Sequence, residues 1–126
     1  MRVLVDTNVL LFAISEPERL GASRSAALAD TDNTVIVSSV SVAEILIKQT
    51  IGKLSKAVRV GRNELESYGF LLLSFTPEHA AGMAGLPLYH RDPFDRMLIA
   101  QAVVENLAIM TTDRVFAEYP VQLVPR

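Results

Sequence analysis

The stretch RVLVDTNVLLFAIS, Arg2 to Ser15, decides the fold. Its first part, Arg2 to Asp6, is a short β-branched apolar run that ends on a carboxylate, which suits a strand. Thr7 to Ser15 continues it with apolar residues at helical spacing. A strand without polar alternation is covered on both faces, as in a parallel sheet with helical crossovers. The rest of the chain keeps the alternation. Ala22 to Ala29 is a small-residue helix closed by the turn residues Asp30 to Asn33. Thr34 to Ser38 (TVIVS) is a second strand. Ser41 to Ile51 follows as a helix with a capping-box signature, Ser41 with Glu44, and Gly52 ends it. Ser55 to Ser67 suits a more polar helix, and Phe70 to Phe75 (FLLLSF) a third strand. Thr76 and Pro77 place an N-cap and a first helical residue. Leu86 to Arg91 is a loop. Asp92 and Pro93 start a further helix, which runs to Glu105 with Asn106 as its C-cap. Leu107 to Thr111 (LAIMT) is a fourth strand, and Val121 to Val124 a short fifth. The pattern predicts an α/β fold, a three-layer α/β/α sandwich on a short parallel sheet.

Composition narrows the function. The chain has 126 residues, which is the length of a single domain over 1–126. Half of it is hydrophobic and the mean hydropathy is +0.30, which excludes disorder. There is no cysteine, so a disulfide scaffold, a thiolate nucleophile and a Cys-ligated metal are excluded. With two histidines, any metal would have mainly oxygen ligands. The net charge of -2 gives no general attraction to nucleic acid, so such a partner needs a local patch. One run, Lys48, Lys53, Lys56, Arg59 and Arg62, is either a solvated surface or a patch that guides a phosphate backbone. Asp6 and Asn8 interrupt the apolar N-terminus, and no run approaches the ~20 residues that span a bilayer, so the expectation is a soluble cytoplasmic protein. There is no GxGxxG, GxxxxGK[ST] or GxSxG, which argues against dinucleotide, P-loop and nucleophile-elbow chemistry.

Four acids stand apart from the rest. Asp6 ends the first strand among apolar neighbours. Glu44 lies one turn into the helix after the second strand. Asp95 lies one turn into the nearly apolar helix that Asp92 begins. Asp113 follows the fourth strand. Strand ends and helix starts share one edge of a parallel sheet, where α/β folds bind ligands. Each acid also has a structural explanation: Glu44 as partner of Ser41 or of Lys48, Asp95 as a charge at a helix start, Asp113 as a turn cap. Together, four converging carboxylates require a cation, and Mg²⁺ or Mn²⁺ suits an all-oxygen donor set. Thr7, Asn8 and Thr112 are suitable donors to orient the carboxylates. Arg91, Arg96 and Arg114 flank the acids, where they could pair with a phosphate or with the acids themselves. His90 lies in the loop before Asp92, near the acids, where it could touch substrate, though it reads better as a plain loop residue; His79 reads as a surface or capping one.

These residues resemble the PIN-domain family and, within it, the VapC-type toxins of bacterial toxin–antitoxin pairs. VLVDTNVLL looks like the family's first motif, SSVSVAEILIK its second with Glu44, HRDPFDRMLIAQA its third with Asp95, and IMTTDRVF its fourth with Asp113. The likeness covers nearly the whole chain. It implies a magnesium-dependent endoribonuclease that cuts RNA phosphodiesters with a metal-activated water. It also implies a homodimer inhibited by a small antitoxin, with Asp6, Glu44, Asp95 and Asp113 as metal-binding and catalytic acids and Asp92 left as a cap. Apolar surface for association is expected from Val9 to Ile14 and Ala22 to Leu28. The alternatives are a catalytically inert PIN-fold interaction domain and another acid-cluster, Mg²⁺-dependent phosphoryl hydrolase.

Overall fold

Four strands lie parallel in one sheet: β1 (Arg2–Val5), β2 (Thr34–Ser38), β3 (Leu71–Leu73) and β4 (Ala108–Met110), in the order β3-β2-β1-β4. The structure, a computed structural model, describes residues 1–125. Among the described residues, six α-helices surround the sheet: α1 (Thr7–Ser15), α2 (Ala22–Ala29), α3 (Ser39–Thr50), α4 (Arg62–Ser67), α5 (Pro77–Gly82) and α6 (Pro93–Glu105). The strands are apolar at successive positions because successive side chains enter different cores. Val3, Val5, Val35 and Val37 pack with Val9 and Leu10 of α1, Ile45 of α3 and Leu65 of α4. Leu4, Ile36 and Ile109 point the other way, onto Leu98, Ile99 and Ala102 of α6 and onto Phe116. Burying each such side chain contributes about 1.5–3 kcal/mol before entropy is charged. The three-layer α/β/α arrangement expected from the sequence is the one found.

β1 is an inner strand, with β2 on one side and β4 on the other. In its register Leu4 faces Ile36 and Ile109. The crossovers leave β1 in opposite directions for these two neighbours, so the crevice of a doubly wound sheet opens beyond the ends of β1 and β4. Asp6 and the segment Thr111 to Asp113 stand there.

Several local expectations change. β2 runs into α3 without a loop, and Ser38 is the N-cap, its Oγ accepting from the Val40 amide at 3.0 Å. Ser41 therefore lies inside the helix, and the predicted capping box with Glu44 does not form. The predicted helix over Ser55 to Ser67 is confined to α4. The Gln49 side-chain amide donates to the carbonyls of Ser55 and Val58, at 2.9 and 2.7 Å, and holds that segment as a loop. The fifth strand reduces to one bridge between Ile109 and Leu123. His79 is a cap but not a surface residue. Its amide donates to Thr76 Oγ1, its Nδ1 accepts from the Thr76 amide, and its ring is 1% exposed. Of the segments expected to offer apolar surface, Val9 and Leu10 are buried, whereas Leu11 to Ile14, Ala27 and Leu28 are half-buried, packing against the core while Leu11, Phe12, Ile14 and Leu28 also line open grooves. Among the described residues, no helix is long and apolar enough to cross a membrane.

Candidate active site

Asp6 is fixed by the junction it makes. It is the N-cap of α1, and its Oδ1 accepts from the Val9 amide at 2.8 Å. Its Oδ2 accepts from Thr111 Oγ1 at 2.5 Å, across the gap between β1 and β4. Arg24 of α2 braces Thr111 from outside by donating to its carbonyl at 3.1 Å. Asp6 is 3% exposed. Burial pushes its carboxyl above the usual range, Thr111 and the Val9 amide pull it down, and the charges of Asp113 and Glu44 push it up again.

Glu44 projects inward from α3 and is 4% exposed. Its Oε2 accepts from Lys48 Nζ, one turn on, at 2.7 Å. Its Oε1 is buried without any hydrogen-bond partner. Thr7 Oγ1 donates to Ser41 Oγ at 2.9 Å, which ties the start of α1 to α3 beside the two acids.

Asp95 and Asp113 meet through His90, which its sequence position suggested was a plain loop residue. His90 Nε2 lies 3.0 Å from Asp95 Oδ2 and 2.8 Å from Asp113 Oδ2. Ligand atoms of His90, Asp95 and Asp113 all fall within 4.8 Å of one another. Burial, then the charge of Asp92, drives the Asp95 carboxyl up to about 7; His90 opposes the shift, and Asp6 and Glu44 add to it. Asp95 thus feels Asp6 and Glu44, while Asp6 feels Glu44 and Asp113. Asp6 and Glu44 couple to the other two acids through their charges, while the ligand atoms that meet are those of His90, Asp95 and Asp113. Asp113 Oδ1 accepts from the Val115 amide, so Asp113 is also the cap its sequence position suggested. Asp92 is the N-cap of α6, its Oδ1 accepting from the amides of Phe94 at 2.8 Å and Asp95 at 3.3 Å.

The remaining candidates fall outside this cluster. Asn8 and Thr112 are exposed, and the threonine that orients Asp6 is Thr111. Arg96 turns away from the acids, donating to the carbonyls of Pro87 at 2.9 Å and Leu86 at 3.5 Å. Arg91 and Arg114 are exposed beside Asp92 and Asp113. The basic run is partly paired. Lys48 is taken by Glu44, Arg59 pairs with Glu64 and Arg62 with Glu66. No pattern in sequence pointed to His90 or Thr111, because their partners come from other segments of the chain.

The donor chemistry suits a hard divalent cation: carboxylates from four elements, repelling one another, with one buried oxygen unpartnered. The profile of the PIN domain matches residues 3–122. No protein of curated function is matched by the sequence. Among solved structures, VapBC2 of Rickettsia felis bound to a promoter DNA fragment superposes with a TM-score of 0.66 at 18% identity, covering 98% of this chain and 96% of that one. FitAcB of Neisseria gonorrhoeae gives 0.66 at 24%, covering 96% and 95%. DNA-bound VapBC of Salmonella typhimurium gives 0.66 at 22%, covering 98% and 96%. At such identities the likeness is one of fold, and it agrees with a profile that spans almost the whole chain: the protein belongs to the PIN-domain family.

Proposed function

We propose that the protein is a metal-dependent endoribonuclease, the VapC-type toxin of a toxin–antitoxin pair. The observation that carries this reading is Glu44 Oε1, a buried carboxylate oxygen left unpartnered among three further acids. An inert scaffold has no reason to keep it, since a buried acceptor without a hydrogen bond costs about 1–3 kcal/mol even though Lys48 pairs the other oxygen. Asp6, Glu44, Asp95 and Asp113 are the acids that would hold Mg²⁺, with Mn²⁺ as a substitute. Such an ion supplies, when bound, polarisation of a phosphodiester and a lowered pKa for a water. Thr111 and the Val9 amide aim the two oxygens of Asp6, and the Val115 amide aims Asp113. Asp92 keeps α6 started, so that Asp95 leaves its first turn toward the cluster. Arg91 and Arg114 are placed to meet substrate phosphates.

The structural likeness to VapBC and FitAcB supports a small antitoxin as partner. A groove lined by Leu11, Phe12, Ile14, Leu54, Val58 and Tyr68 is open to an apolar segment of it. A homodimer in the cytoplasm completes the reading.

The test is cleavage of total RNA by the purified protein with Mn²⁺ or Mg²⁺. Cleavage is expected with either metal and is stopped by a chelator. Asp6→Asn, Glu44→Gln, Asp95→Asn and Asp113→Asn should each lower it by at least about a hundredfold, more than the 10–100-fold typical of losing an outer partner. Cleavage that persists in a chelator, or in all four variants, refutes the proposal.

A further inference from the structure

His90 occupies a place that neither its loop nor the acids alone explain. Its ring stands edge-on to Phe116, 5.7 Å between centroids, and its side chain is 14% exposed. The Asp92 amide donates to its Nδ1 at 3.1 Å. A ring nitrogen that accepts a hydrogen bond carries no proton, so the ring proton is on Nε2. That N–H is aimed at Asp95 Oδ2 and Asp113 Oδ2 together. In this tautomer Nε2 acts as a donor to the two carboxylates.

The loop that carries the ring is pinned for this purpose. Tyr119 Oη accepts from the amides of Tyr89 and His90, at 3.1 and 2.8 Å, and donates to the Pro87 carbonyl at 2.8 Å. Arg96 holds the same carbonyl from α6. One donor therefore stands between two like charges that come from different elements, α6 and the segment after β4.

We propose that His90 is a positioning residue of the acid site: its Nε2–H holds the carboxylates of Asp95 and Asp113 side by side in the orientation that receives a divalent cation. The role rests on the metal site proposed above. Outer partners of this kind typically change metal affinity by 10–100-fold. The side-chain amide of a glutamine offers a comparable N–H donor on a flexible stem; alanine and leucine offer none.

The experiment is calorimetric titration of the metal-free protein with Mn²⁺, on native protein, His90→Ala, His90→Leu and His90→Gln, with the metal-free melting temperature of each. The leucine fills the space against Phe116 and stands in should the alanine variant melt too low to titrate. The expected result is Mn²⁺ affinity at least about tenfold weaker in His90→Ala and His90→Leu, and within about threefold of native in His90→Gln. Native affinity in the alanine or leucine variant overturns the role of His90 and leaves the metal site standing. A glutamine variant as weak as the alanine one overturns it too, because the ring would then act by ligation or packing and not as a donor. A native protein that binds no Mn²⁺ overturns the metal site itself, and this role with it.

Discussion

At the residue scale, the four candidate acids stand out in the sequence because each sits at a boundary between an apolar run and a turn, where a lone charge is costly. His90 and Thr111 do not. His90 meets Asp113 across 23 positions and Thr111 meets Asp6 across 105. Choosing Thr111 over Thr112 also depends on where β4 ends, and side chains alternate there. The choice between Asp92 and Asp95 now has a physical basis. Asp92 spends Oδ1 on two amides of α6, whereas Asp95 feels Asp6 and Glu44. Asp92→Asn keeps an N-cap of nearly equal quality and should leave most RNA cleavage intact. Abolished cleavage in Asp92→Asn with intact cleavage in Asp95→Asn would reverse the assignment. Asp95 also predicts a pH dependence. Its carboxyl, raised to about 7 in the folded metal-free protein, compares with about 4 in an unfolded chain. The folded state binds that proton more tightly, so the contribution to stability is full below about pH 4 and is lost as pH rises through about 7. The upward shift of Asp6 acts with the same sign. In a chelator, the native melting temperature should therefore fall across this window more steeply than that of Asp95→Asn. Parallel curves for the two proteins would contradict the shift.

At the element scale, β2, α2 and α6 fall where the sequence placed them, because each has its own local punctuation. Asp92, Pro93 and Asn106 bracket α6, and Asn106 adopts the left-handed C-cap conformation at φ 53°. Elements held by distant groups were misread. The loop before α4 depends on Gln49, a side chain from α3, and the first turn of α3 depends on Ser38 ending β2. Helical spacing shows which residues of α3 are apolar but not which of them the sheet covers. In the fold Ile45 is buried, whereas Leu46, Ile47 and Ile51 are 50%, 48% and 59% exposed. That outer face of α3 is an apolar surface open to a second copy, apart from the groove at α1. Specific dimers bury roughly 800 Å² per partner around an apolar centre, and an acid there is strongly unfavourable. Ile47→Asp should shift the protein from dimer to monomer in sedimentation at micromolar concentration, with Mn²⁺ affinity unchanged because Glu44 faces inward. A native protein that sediments as a monomer would exclude the dimer.

At the scale of the whole molecule, the parallel class of the sheet was legible in strands with no polar alternation, but the order β3-β2-β1-β4 was not, since it depends on which face each crossover takes. That order places the ends of β1 and β4 side by side and so makes one charged site from acids spread between positions 6 and 113. The arrangement sets site against stability. A cap stabilises its helix, and losing one costs about 0.5–2 kcal/mol. An acid in a cluster does the reverse in the metal-free protein, because its charge repels the others. Asp6 is both, cap of α1 and member of the cluster, but asparagine retains the side-chain oxygen that caps, so Asp6→Asn removes mainly the repulsion. Asp95→Asn likewise keeps one oxygen that can accept from His90, so it too removes mainly the repulsion. A cation bound only by the folded form should raise the native melting temperature by mass action, with about 2.7 kcal/mol gained at a hundred times its dissociation constant. Thermal unfolding of native protein, Asp6→Asn and Asp95→Asn, each in a chelator and in Mn²⁺, separates the two roles. Both variants should melt at or above native in the chelator and gain little from Mn²⁺, while native protein gains several degrees. Variants that melt well below native yet gain as much from Mn²⁺ would show that these acids serve the fold and that the cation binds elsewhere.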